Sequence, residues 1–206
     1  MAPLCNHLIL KGFFTSPAST KFHGAYKGGL AAHSLRVYEL LQEKCLTLSL
    51  DSDMSAGRKP LEIDTDTCII AGLLHDITKV GAYIGTETPY KWNKQQPKGH
   101  AEISIERIKK FIVLKPVEEI IIRFHMGNFG LYEFYEPGSW EYKTQPEYHL
   151  RSLAKKKRNV SSEEKKADQE ARYGKSWRNA MYHNPVVFWM HVADMQAVAE
   201  EKAKGE

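Results

Sequence analysis

Hydrophobic residues along this chain recur at helical spacing in five segments, and nowhere do they alternate with polar residues for long enough to predict a strand. The first segment spans residues 28–43. After Gly28 and Gly29, the residues Leu30, His33, Val37, Leu40 and Leu41 fall on one face, so a histidine shares the apolar side of a helix. From Thr47 to Pro60 the chain turns polar and predicts a connection. Asp64 is placed to N-cap a second helix through Ile69, Ile70, Leu73 and Leu74 to about Lys79, with Gly81 as its stop. Residues 86–99, with Pro89 and Pro97, predict another loop. A third helix follows from His100 to Ile112, with His100, Ser104, Ile108 and Phe111 on one face. Pro116 suits the first turn of a fourth, which carries Val117, Ile120, Ile121 and Phe124 inward and ends near His125, before Gly127 and Gly130.

The fifth helix opens on Asn184 as N-cap and Pro185 at its first position, and its face of Val187, Met190 or His191, Asp194 and Val198 turns an acid inward. Between the fourth and fifth, residues 131–150 are aromatic, contain proline and have no period. Residues 151–173 have helix-favouring composition but no wide apolar face, which predicts a position outside the core. The expected fold class is therefore all-α: one compact helical domain over residues 1–206, with long loops and a basic insertion or lid at 143–183 before the last helix. No internal repeat is present.

Composition narrows this only a little. A chain of 206 residues buries roughly 70% of its unfolded surface in one helical domain, and 42% hydrophobic with 26% charged residues excludes a disordered or fibrous class for most of it. Cys5, Cys45 and Cys68 form neither a CxxC site nor an even disulfide framework, so a reducing cytoplasm is expected. The N-terminus lacks a basic n-region and no run reaches the ~20 apolar residues of a membrane span, so neither secretion nor membrane insertion is expected.

Charge changes the picture more. Of the net +4, the stretch Lys143–Arg178 carries +6, from eleven Lys or Arg against five Asp or Glu, and the rest of the chain sums to −2. Such an asymmetry reads either as a site for an anionic partner or as a solvated loop and helix. The run Lys155-Lys156-Lys157-Arg158 is suited to a nucleic-acid backbone, and equally to solvent. Gly174-Lys175-Ser176 ends like a P-loop, but Gln169 stands where the first glycine is required and no buried strand precedes it, so the match is chance.

The chemistry-bearing residues sit on the helices. Each of the five offers metal-capable groups on its inward face or at its end: His33, His75 with Asp76, His100, His125, and Asp194. An unpaired ionised group is costly to bury, so their recurrence on apolar faces calls for a common partner, and a divalent cation is the economical one. Any one of these histidines alone reads as a satisfied core residue; the set does not. Imidazole with carboxylate suits Mn, Fe, Zn, Ni or Co, and the lack of a thiolate set argues against structural zinc. His7, His149 and His183 have no such context, and three-residue spacing from Asp194 does not make His191 a ligand. His23, beside Tyr26 and just before the glycine pair, is a candidate for the pocket wall.

Here the residues also carry a resemblance. Gly72-Leu73-Leu74-His75-Asp76-Ile77-Thr78-Lys79-Val80-Gly81, preceded by Gly28-Gly29-Leu30-Ala31-Ala32-His33-Ser34 and followed by His191-Val192-Ala193-Asp194, resembles the signature of the HD phosphohydrolase superfamily. Gly99-His100-Ala101-Glu102 and Phe124-His125-Met126-Gly127 are similar to the extra histidine motifs of members that hold two metals, including the HD-GYP phosphodiesterases, although the Gly-Tyr-Pro motif is missing after His125. The Gly-Gly-Leu-x-x-His segment is similar to the HD domain of certain bacterial 3′–5′ exoribonucleases and of small phage HD proteins.

This resemblance implies metal ligation by His33, His75, Asp76 and Asp194, with His100 and His125 completing a second site bridged by Asp76, and attack on phosphorus by a metal-activated hydroxide. Paired catalytic ions lie roughly 3.5–4 Å apart, so two ions require His100 and His125 close to Asp76. With one ion, those two histidines would instead bind phosphate or protonate the leaving oxygen. Asp76, Lys79, His100 and His125 are the expected catalytic residues, and Lys79, His23 and Arg36 the expected substrate-binding ones; Lys79 reads equally as a phosphate clamp or as a complement to a helix C-terminus. The expected function is hydrolysis of a phosphoester or phosphoanhydride of a nucleotide or other phosphorylated small molecule. The alternatives are a 3′–5′ exonuclease on short single strands, for which Trp140, Tyr142, Tyr148, Tyr173 and Trp177 would supply stacking surfaces, and a non-catalytic nucleotide-binding module with a structural metal.

Overall fold

The computed structural model describes residues 2–50, 63–96, 99–127, 177 and 180–204. Among them the helices are α1 (Ala2–Lys11), α2 (Gly29–Leu50), α3 (Thr65–Leu74), α4 (His100–Lys109), α5 (Pro116–Phe124) and α6 (Val186–Lys204), with a single 3-10 turn at Ile77–Lys79. A hairpin of two-residue strands, β1 (Tyr83–Ile84) and β2 (Lys91–Trp92), is the one departure from the all-α expectation, pairing Tyr83 with Trp92 and Ile84 with Lys91. Strands this short show no alternation in the sequence. No helix among the described residues is long and apolar enough to cross a membrane. Most of the expected 143–183 insertion, and the irregular 131–150 stretch, lie outside the described residues.

The helices share one apolar core, to which α2 contributes Leu30, Val37, Leu40 and Leu41, α3 Ala71 and Leu74, α4 Ile105 and Ile108, α5 Ile121 and Ile122, and α6 Val187, Met190, Ala193 and Ala197. Full burial of each Leu, Ile or Met contributes about 1.5–3 kcal/mol, and together these offset the cost of the polar groups buried among them. Helix α2 is the central element, packing on α3 along one side and α6 along the other, while α5 packs on α3, α4 and α6. Close approach of α2 and α3 depends on Gly72: a Cβ there would lie 2.5 Å from the Cα of Tyr38. At the entry to α2, Gly29 is similarly required, since its Cβ would meet the carbonyl oxygen of Gly24 at 1.9 Å.

Asp64 caps α3 as expected, its carboxylate accepting from the Thr67 N–H at 2.9 Å, an interaction worth about 1 kcal/mol. Several boundaries differ from the sequence expectation. Helix α2 continues to Leu50, through the first residues of the expected connection, because no proline or glycine interrupts residues 30–56. Helix α3 stops at Leu74 instead of near Lys79: Asp76 leaves the helical region (φ −108°, ψ 19°) and the chain tightens into the 3-10 turn before Gly81 at φ +72°. Helix α4 ends at Lys109, with Phe111 and Ile112 in a following turn. Helix α1 was not expected at all. It buries Leu4 and Leu8 but leaves Ile9 and Leu10 exposed, so its apolar residues occupy both faces and blur the period.

Candidate metal centre

The turn that ends α3 builds the middle of the site. His75 is the C-cap residue, and its Nδ1 lies 2.9 Å from the carbonyl oxygen of Gly72. A carbonyl only accepts, so Nδ1 carries a proton and donates, which leaves Nε2 as the ring atom available to a ligand. His125, the C-cap of α5, repeats the device, with Nδ1 donating to the carbonyl of Ile122 at 2.6 Å. Two helix C-termini thus fix two imidazole rings with Nδ1 engaged and Nε2 turned to the cluster, the orientation a metal ligand needs. His33, from the first turns of α2, is oriented by a carboxylate: its Nδ1 donates to Glu201 Oε1 at 3.0 Å. Its Nε2 stands 3.2 Å from Asp194 Oδ1, near enough for strong attraction but out of line for a hydrogen bond.

Asp76 joins the two halves of the cluster. Its Oδ1 is 3.1 Å from His100 Nε2 and 3.6 Å from His125 Nε2, and its Oδ2 is 3.4 Å from His75 Nε2 and 2.6 Å from Lys79 Nζ. His100 opens α4 after Gly99, whose φ of +91° turns the chain into the helix, and its ring stacks on that of His125 with centroids 5.1 Å apart. Thr78 ties α4 to the 3-10 turn, its hydroxyl donating to the His100 carbonyl at 2.6 Å and lying 2.7 Å from Ser104 Oγ.

All six residues expected as ligands therefore meet, drawn from α2, α4, α5, α6 and the end of α3. Three overlapping triads have donor atoms within 4.8 Å of one another: His33, His75 and Asp76; His75, His125 and Asp194; Asp76, His100 and His125. The residues fit a divalent cation on their own chemistry. His33 Nε2, His75 Nε2 and Asp76 Oδ1, the members of one triad, are all buried and make no hydrogen bond, and three such groups side by side need a shared cationic partner.

The electrostatics describe the metal-free state. Burial disfavours an ionised Asp76, but Lys79 foremost, then His75 and His100, hold its carboxyl well below the usual carboxylate range. Burial likewise opposes charge on Asp194, yet the contact with His33 and the neighbouring His75 and His125 lower it. Lys79 loses hydration but is raised by Asp76. For His33 burial favours the neutral ring, and its contacts with Asp194 and Glu201 outweigh that and lift it to about 9. A proton held between two carboxylates thus stands in for a metal charge.

The other expected residues are placed as follows. The ring of His23 lies 5.1 Å from that of His33, and burial, Lys79 and His33 together push it down to about 4, which keeps it neutral. Arg36, on α2 beyond His33, has its guanidinium engaged by Glu200 at 2.6 Å and by Glu39 at 3.1 Å. His191 donates through Nδ1 to the His125 carbonyl at 2.8 Å and packs on Trp177, the described member of the expected stacking set. Trp140, Tyr142, Tyr148 and Tyr173 lie outside the described residues. Glu201 was missed from the sequence. It falls seven residues after Asp194, two turns along the same face of α6, and that spacing was the available signal.

No curated protein and no solved structure matches this chain. Among protein families, the HD domain matches residues 30–170, a span that contains His33, His75, Asp76, His100 and His125. Asp194 lies beyond it and reaches the centre through the packing of α6 on α2. With the match covering more than half of the chain and its histidines and aspartates converging on one buried centre, the protein belongs to the HD domain family of metal-dependent phosphohydrolases.

Proposed function

We propose that the chain hydrolyses a phosphoester or phosphoanhydride bond of a nucleotide, with His33, His75, Asp76 and Asp194 holding one divalent cation and Asp76, His100 and His125 a second. The observation that carries the two-ion reading is the position of Asp76, whose carboxylate belongs to two of the donor triads and faces both pairs of histidines. When bound, such cations polarise a phosphoryl oxygen and make a water acidic enough to lose its proton near neutral pH.

The chain's own residues supply orientation and charge. Glu201, Gly72 and Ile122 fix the rings of His33, His75 and His125, so little reorganisation accompanies ion binding. Lys79, buried beside Asp76, adds a fixed positive charge that attracts phosphoryl oxygens. His23 closes the His33 side with a neutral ring able to bond a phosphate or sugar oxygen. Arg36 would reach a substrate only along the cavity it shares with Glu200 and Glu201. The positive stretch at 143–178 supports an anionic substrate.

The test is metal analysis of the full chain reconstituted with Mn, Fe, Co, Ni or Zn, followed by assay against mono-, di-, tri-, cyclic and oligonucleotides. Two equivalents of metal and turnover of one class are expected. Absence of bound metal, with hydrolysis surviving in the double variant His75→Ala, Asp76→Ala, would overturn the reading.

A further inference from the structure

A second cavity adjoins the 3-10 turn and shares no lining residue with the metal centre. It encloses about 330 Å³ and is lined by His7 and Lys11 of α1, by Ile77, Val80 and Gly81, and by Arg107, Lys110 and Phe111 at the end of α4. That volume falls within the range of small-molecule sites. Its chemistry is one-sided: three permanent cations and a histidine line it, and no carboxylate does. Lys11 and Lys110 are both exposed and have no carboxylate partner among the described residues. Neighbouring Lys109 and Lys115, by contrast, are paired, with Glu119 and Asp64.

Arg107 gives the cavity a built polar wall. Its Nη1 donates to the carbonyls of Ile77, Thr78 and Val80 at 3.1, 3.2 and 3.2 Å, and Nη2 to Gln96 Oε1 at 3.1 Å. No acid among the described residues pairs with it, and burial lowers its pKa. The guanidinium has five N–H groups, and those on Nε and the remaining Nη2 position are not consumed by these bonds. Beside the cations, the rings of His7 and Phe111 meet with centroids 4.7 Å apart and, with Leu8 and Val80, add an apolar surface to the lining.

We infer that this cavity binds a small phosphorylated molecule of about nucleoside monophosphate size, its phosphate held by Lys11, Lys110 and Arg107 and its flat apolar part laid against His7 and Phe111. The site is separate from the metal centre but mechanically joined to it. Arg107 grips three carbonyls of the turn that carries Lys79 and follows Asp76, and the same turn is tied to His100 through Thr78.

The test is a titration of AMP into ¹⁵N-labelled, zinc-loaded full-length protein, read at individual amides, with adenosine as the charge-free comparison. Saturable shifts at Gly81, Lys110 and Phe111 are expected with AMP and not with adenosine. The exposed-residue variant Lys11→Ala, Lys110→Ala should weaken the affinity read at these amides at least tenfold. Asp76→Asn, which acts at the metal centre and alters no residue that lines this cavity, should leave it within about twofold at temperatures where the variant is folded. Shifts at Gly81 and Lys110 that survive the double lysine variant, that disappear in Asp76→Asn, or that never arise with AMP would overturn the inference. The Asp76→Asn arm keeps this result independent of the proposed hydrolysis.

Discussion

Glu201 Oε1 accepts a hydrogen bond from His33 Nδ1 at 3.0 Å, joining residues 168 positions apart and making the last helix the support for the first ligand. His33 itself is fully buried, so the orientation of its ring is decided by this carboxylate and by Asp194 on the other edge.

Replacing Glu201 with Gln keeps the side-chain shape and removes the charge that holds the ring. Metal affinity is expected to fall 10–100-fold, the usual cost of losing a carboxylate behind a ligating histidine. Calorimetric titration with Zn or Mn measures it. A metal affinity equal to that of the unaltered protein would show that His33 does not depend on Glu201.

The raised pKa of His33 sets a pH dependence with a definite sign. In the metal-free protein the ring is held at about 9 against an ordinary 6.5, so its interactions stabilise the fold fully below pH 6.5, and this contribution is lost as pH rises through about 9. Denaturant unfolding in the presence of chelator should show the loss, and His33→Gln should flatten it. Metal must displace the same proton, so apparent metal affinity rises over pH 6.5–9 and uptake releases protons to the buffer. A pH-independent affinity would contradict this.

Asp76→Asn strikes both triads at once. Bound metal should fall from two equivalents towards one or none by elemental analysis, and hydrolysis should drop by at least ~100-fold, since metal-dependent charge stabilisation is worth several kcal/mol. In the metal-free state, Lys79 would be left buried without the carboxylate now 2.6 Å away. A loss of stability on the order of 3 kcal/mol is expected by denaturant titration.

Gly72→Ala tests the helix contact that sets the centre's dimensions. The added Cβ would fall 2.5 Å from Tyr38 Cα, which is backbone and cannot swing away, so α3 must move off α2. The expected cost is about 1–3 kcal/mol in unfolding free energy, together with weaker metal binding as His75 is drawn away from His33. Unchanged stability would mean the two helices are less tightly fitted than their contact implies.

How much of this was legible beforehand follows from what each feature depends on. Helical period and local capping are properties of neighbouring residues, so the core face of α2, the Asp64 cap and the six inward metal-capable residues could be read from the chain, whereas Ile69, Ile70 and Leu73 of α3 and Val117, Ile120 and Phe124 of α5 are only half-buried, with Cys68, Ala71 and Ile122 taking core positions instead. Helix α1 could not, because its apolar residues sit on both faces, and the end of α3 could not, because it is decided by where His75 and Asp76 must aim. Spacing and residue type alone determined that His33, His75, Asp76, His100, His125 and Asp194 belong to helices with buried faces. Only the tertiary structure decided that they meet in overlapping triads with donor atoms within 4.8 Å, that Asp76 stands between two groups of histidines, and that Glu201 supports the first of them. The physical reason is that convergence is a sum of helix crossings and backbone approaches between residues far apart in the chain, which local periodicity does not encode.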